Sequence, residues 1–179
     1  MTSDTELQDV KVSATQAWNK ARVDFNFFAG LCLPNTIKFR FPLYYIALWT
    51  LLVVALDNKD SKLAKKLLRY VIGLPRGFCK TTFLKCLMAW LIVFDRVSFL
   101  LIVCATGPLA DAFLSDLHNI LQSSNIERVF GKWDPAIDKV DTKRGSYHRR
   151  PLILKSYGAG SSVRGVNEDN MRPDFILLD

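Results

Sequence analysis

Lys80-Thr81-Thr82 follow a turn containing Pro75 and Gly77 and lead into the apolar run "FLKCLMAWLIVF". Just upstream, Tyr70 to Leu74 has the composition of a short β-strand. Strand, turn, Lys-Thr and helix, in that order, form the layout of a phosphate-binding P-loop. The chemistry needs backbone N–H groups gathered at a helix N-terminus, where the helix dipole favours an anion. It also needs Lys80 as a point charge on the β- and γ-phosphates and the Thr81 hydroxyl on Mg²⁺. Pro75, Arg76, Gly77, Phe78, Cys79, Lys80, Thr81 and Thr82 are the candidate nucleotide-binding residues. The pattern G-x-x-x-x-G-K-[ST] is not met, because Leu74 and Cys79 stand at its glycine positions. Gly77 alone can take positive φ at little cost. The competing reading is a Lys-Thr pair that merely caps a helix.

Asp179 follows the apolar "FILL" and is the candidate carboxylate for Mg²⁺, as in the second acidic strand of P-loop ATPases. The ordinary alternative is a polar residue at a strand end. Together, the loop upstream and the strand-Asp downstream strengthen the nucleotide reading, with Thr81 and Asp179 as the metal pair. Two arginines join the candidates. Arg76 lies inside the loop, where it could neutralise charge developing on a transferred phosphoryl group, or simply reach solvent. Arg164 lies in the small-residue loop "GAGSSVRGVNEDN", whose glycines allow close approach to a ligand, or make a flexible surface turn.

The elements that must position these groups are partly readable. The chain has 179 residues, half of them hydrophobic, enough for one domain with a real core. A net charge of +7 and a pI near 9.3 fit a polyanionic partner. Cys32, Cys79, Cys86 and Cys104 form no C-x-x-C pair, so reduced and mostly buried thiols of an intracellular protein are expected. His118 and His148 have no zinc-ligand spacing. The polar opening residues do not form a signal peptide. Phe41 to Leu56 is uncharged but, at sixteen residues, shorter than the roughly 20 that span a bilayer, and reads as a buried helix.

The first dozen residues read as a tail, and Val12 to Phe28 as one helix ending near Gly30. A helix over Leu43 to Leu56 stops at Asp57-Asn58. Lys59 to Arg69 is basic and reads as a solvated helix. Then strands and helices alternate: Tyr70 to Leu74, Lys80 to Phe94, the doubly buried Val97 to Thr106, a helix opened by Pro108, and strands at Pro151 to Gly158 and Asp174 to Asp179. Ile126 to Gly145 reads as mixed and loop-rich. Alternation predicts a parallel sheet with helices on both faces.

Taken together, "LPRGFCKTT", "SSVRG" and "RPDFILLD" resemble the ATPase domain of the large terminase subunits of tailed bacteriophages. "DFNFFAGLCLP" and "FRFPLYY" resemble the N-terminal part of that family, which contacts adenine. The resemblance covers roughly Val23 to Asp179. It implies an α/β P-loop NTPase of the additional-strand type, with a mostly parallel sheet, ending after the Asp179 strand. Residues 1–60 would be a helical, adenine-side segment and 61–179 a partial ATPase core. By position, Lys80 and Thr81 would hold ATP and Mg²⁺, Arg76 would act within its own subunit, Arg164 would be an arginine finger, and Asp179 the magnesium carboxylate. The implied work is ATP-driven translocation of double-stranded DNA into a procapsid, in the infected bacterial cytoplasm. Partners would be DNA, a homo-oligomeric ring on a portal and a small terminase subunit, with no membrane. Cys79 departs from the small residue usual in the family, and the catalytic acid expected after Asp179 has no counterpart here. A helicase-like translocase and a nucleotide-binding module without turnover are the alternatives.

Overall fold

The computed structural model describes residues 13–58, 75, 77–161, 166–168 and 170–179. The readings of the first dozen residues, of 59–74, of Arg76 and of Arg164 fall outside them.

Where one N-terminal helix was expected there are two, α1 (Ala14–Val23) and α2 (Phe25–Cys32). Asp24 makes the break. It ends α1 in extended conformation, and its carboxylate accepts the Phe27 N–H at 3.0 Å, capping α2. Ser13 and Gln16 close a reciprocal capping box at the start of α1. Helix α3 (Leu43–Asp57) occupies the uncharged segment. It buries Tyr45, Trp49, Leu52, Ala55 and Leu56. Among the described residues no helix is long and apolar enough to cross a membrane.

Helix α4 (Lys80–Val93) is buried almost all round, with Phe83, Leu84 and every residue from Cys86 to Val93 out of solvent. It is the central helix of the core. Trp90 donates its indole N–H to the Ala21 carbonyl at 3.1 Å, tying α4 to α1. Phe25, Phe41, Tyr45 and Phe83 pack ring against ring between α2, α3 and α4. The fully buried Phe25 and Phe83 each contribute about 1.5–3 kcal/mol over their exposed state. After β1 (Phe99–Cys104), α5 (Gly107–Leu121) opens with Pro108 in its first turn.

The segment expected to be mixed and loop-rich is mostly regular. It forms α6 (Ser124–Phe130), β2 (Asp134–Asp138) and β3 (Thr142–Tyr147), followed by β4 (Arg150–Gly158) and β5 (Phe175–Leu178). The sheet order is β2-β3-β4-β1-β5. Strands β4 and β5 run parallel to β1, with Phe99 opposite Ile153 and Val103 opposite Leu178. Strands β2 and β3 extend it antiparallel. The sheet is therefore mixed, which corrects the expectation of a mostly parallel one. The reason is connection length: Lys139 to Asp141 and His148-Arg149 are tight turns, and parallel pairing needs a crossover of a dozen residues or more.

All of β1 is buried. Leu100, Ile102, Leu152, Leu154 and Leu177 project into one core shared with every described helix. Phe99, Leu101 and Ile153 are buried on the opposite face, where Ile176 and Leu178 of β5 stay exposed. Among the described residues the helices gather on the first face, so helices on both faces are not borne out by them.

Candidate nucleotide-binding site

The C-terminal ends of β1 and β5 meet the N-terminus of α4. Thr81, on the first turn of α4, directs its hydroxyl at Asp179, just past β5, with 3.3 Å from Oγ1 to Oδ2. The two residues lie 98 positions apart in sequence. Asp179 is fixed by its own backbone, since its N–H donates to the Val103 carbonyl at 2.9 Å. Its carboxylate also reaches the end of β1 electrostatically. The Cys104 thiol is pushed up, first by burial and then by the Asp179 charge, against an opposing influence of Lys85. The fold thus brings the Lys-Thr turn and the acidic strand end together.

Two residues just before α4 have left-handed backbone. Gly77 has φ of +85°, and Cys79 has φ of 55°, in the left-handed region. A residue with a Cβ costs about 1–2 kcal/mol in that conformation. Cys79 therefore holds, at an energetic cost, a conformation that glycine adopts freely. No side chain caps α4, and its first turn holds no acid. Its leading N–H groups are thus not claimed by a side-chain cap.

The loop is also held from outside. Tyr45 on α3 donates its hydroxyl to the Phe78 carbonyl at 2.5 Å. Its ring stacks on Phe83 with centroids 4.3 Å apart. The phenol is pushed up to about 12 by burial, with smaller contributions from Tyr44 and Cys79. Nothing in the local sequence pairs Tyr45 with Phe78. The only available signal was the aromatic density of "FRFPLYY".

Pro75, Gly77, Phe78 and Cys79 are exposed on this loop, Lys80 is half-buried, and Thr81 is exposed beside Asp179. Thr82 turns elsewhere. With Thr36, Lys85, Asp116 and Asn119 it lines an open cleft of about 340 Å³ between α2, α4 and α5. Lys85 and Asp116 pair across that cleft at 2.6 Å.

A second acid on the same strand was not singled out by sequence. Asp174 precedes β5 and accepts the Ser98 and Phe99 N–H groups at 2.9 and 3.0 Å. It fastens β5 to β1 at the end remote from Thr81.

For magnesium, the donor set is one hydroxyl and one carboxylate, both hard oxygens. Mg²⁺ usually takes one or two protein oxygens and completes its shell with water and phosphate. Thr81 and Asp179 fit that requirement. Among the described residues no group of three or more His, Cys, Asp or Glu side chains could hold a metal unaided.

Comparison of the chain with protein-family models, with curated proteins and with solved structures gave no match.

Proposed function

We propose that the chain binds Mg-ATP at the loop of residues 75–82 and is the nucleotide-binding part of an ATP-hydrolysing DNA translocase resembling the large terminase subunits. The observation that carries the reading is the approach of Thr81 to Asp179. A lone helix cap needs no carboxylate brought from the far end of the chain. The left-handed Cys79 is the second support, because positive φ just before Lys80 is the conformation that a glycine at that place of the pattern would supply.

In this reading the N-terminus of α4 and Lys80 take the β- and γ-phosphates. Thr81 and Asp179 hold Mg²⁺, which when bound would neutralise charge on the phosphates. Tyr45 keeps the Phe78 carbonyl turned away from the anion by donating a hydrogen bond to it. Arg76 and Arg164 are proposed to act on the transferred phosphoryl group, Arg76 in its own subunit and Arg164 as a finger. A finger is worth about 10³–10⁵ in rate. Packaging of double-stranded DNA within an oligomeric ring follows from the resemblance and extends the same proposal.

Nucleotide binding followed by calorimetry tests it. Lys80→Ala should abolish ATP binding, because it removes the point charge on the phosphates. Equal affinity in wild type and variant overturns the reading. Steady-state hydrolysis by the same protein separates a turnover enzyme from a nucleotide-binding module.

A further inference from the structure

The end of the sheet opposite Thr81 and Asp179 carries a second feature, basic and exposed. Between Arg128 and Arg150 the sequence has seven Lys or Arg against three Asp. Lys143 pairs with Asp138, and Arg144 also has a partner within the chain. Arg128, Lys132, Arg149 and Arg150 remain exposed. The fold brings these four to one place from two segments. The His148 Nε2 bonds the Phe130 carbonyl at the end of α6, and the same ring covers Gly131. The C-terminus of α6 and the β3–β4 turn therefore form one surface, with Arg128 and Lys132 on one side and Arg149 and Arg150 on the other.

The turn is conformationally costly. His148 and Arg149 have φ of 50° and 64°. Two consecutive positive φ values make the type of hairpin turn that favours Asn-Gly. Here the chain places an imidazole and a guanidinium there instead. The acids at hand are Asp95, 3.8 Å from His148 Nδ1 and 3.9 Å from Arg150 Nε, Glu127 beside Arg128, and Asp134, exposed at the start of β2 opposite Ser146. They offset part of the charge, and Arg150 stays 64% exposed despite Asp95.

We propose that this surface, formed by the end of α6 and the turn at His148-Arg149, binds the phosphate backbone of double-stranded DNA. Three of its four cations are arginines, which fork onto phosphate oxygens better than lysine does. No large hydrophobic side chain is exposed among residues 128–134 or 147–152, as insertion into a lipid surface would need. Arg150 opens β4, and β4 runs parallel to β1. The surface thus lies a strand length away from the nucleotide loop, about 30 Å for nine residues. The choice of DNA as partner rests on the translocase reading. The binding is measured without nucleotide, so its failure would leave the ATP assignment standing.

Fluorescence anisotropy with a labelled 30-base-pair duplex of random sequence, over a series of salt concentrations, is the test. The variant Arg128→Ala/Lys132→Ala/Arg149→Gly should weaken binding at least tenfold. Its log-log salt dependence should become shallower by about 0.9 for each phosphate that is no longer neutralised. Lys139→Ala, a charge removed from the β2–β3 turn at the other end of the ribbon, should keep wild-type affinity. Arg149→Gly alone should weaken DNA binding while raising Tm, since glycine suits the turn; a purely structural arginine would leave affinity unchanged. Unchanged affinity and slope in the triple variant overturn the proposal. So does wild-type protein that binds phosphatidylserine vesicles but not the duplex, or an equal weakening with Lys139→Ala.

Discussion

Asp174 and Asp179 flank the same four-residue strand and are used in opposite ways. Asp174 gives both carboxylate oxygens to backbone N–H groups of Ser98 and Phe99. Asp179 accepts no backbone donor through its side chain among the described residues, and faces a threonine hydroxyl on another element. One carboxylate is consumed by the fold; the other faces the first turn of α4 and is the one proposed to hold Mg²⁺. The lesson is that an acid at a strand end is assigned by where its oxygens go, not by the strand beside it. Both residues are exposed and both border the same apolar run; sequence singled out Asp179 because it follows the strand, and left the role of Asp174 unread.

Substitutions at the two carboxylates should have opposite effects. The largest expected effect is functional: Asp179→Ala should lower the Mg²⁺-dependent part of ATP affinity at least tenfold while leaving Tm within about 1 °C of wild type. A calorimetric titration paired with a thermal melt reads both. Asp174→Ala should do the reverse. Two charge-assisted bonds at an exposed site are worth about 1–2 kcal/mol together, so Tm should fall with ATP affinity little changed. If both variants lose the same property, the division of labour is wrong.

Two residues sharpen the contrast by testing how the loop is held. Tyr45→Phe removes the donor to Phe78 and should cost about 1 kcal/mol in chemical denaturation, with a weaker ATP affinity because the loop is less well held. Cys79→Gly should act in the other direction. It relieves a left-handed residue with a Cβ and should stabilise by roughly 0.5–1 kcal/mol after the added entropy of the unfolded chain is set against it. A destabilised Cys79→Gly would mean that the thiol, not the backbone, is needed there.

The smallest effect is a pH dependence. His118 is buried against Trp133, and its pKa is lowered, first by burial, with Asp138 opposing and Lys143 assisting. The unfolded chain therefore binds the proton more readily. The stability from this group is present above about pH 6.5 and is lost as pH falls below it toward the folded value. Thermal melts between pH 7.5 and 5.5 should show a steeper decline in wild type than in His118→Gln. Parallel curves would remove His118 as the cause.

Much of the fold was legible because it rests on apolar periodicity. Helices α3 and α4 and strand β1 are long runs whose burial leaves little choice, and they fall within a residue or two of expectation. The antiparallel ribbon was not legible. In β2 no residue is fully buried, and in β3 only Tyr147 is, so the pairs are held by backbone hydrogen bonds and leave no alternation to read. The break between α1 and α2 was written in the sequence as an Asp three residues before Phe27, a cap signal hidden inside an apolar stretch. At the site, Lys80, Thr81 and Asp179 were legible as residue types at the ends of apolar elements. The Tyr45 bond to Phe78 was not, because an interaction across 33 residues between a phenol and a carbonyl has no local pattern.

The central claim is that Thr81 and Asp179 form a magnesium pair beside a phosphate loop. Isothermal titration of ATP, with and without Mg²⁺, into wild type and Asp179→Asn tests it most directly. Mg²⁺ should tighten ATP binding to wild type at least tenfold and have almost no effect on Asp179→Asn, which should still bind free ATP through Lys80 and the α4 N-terminus. An identical Mg²⁺ enhancement in the two proteins would contradict it.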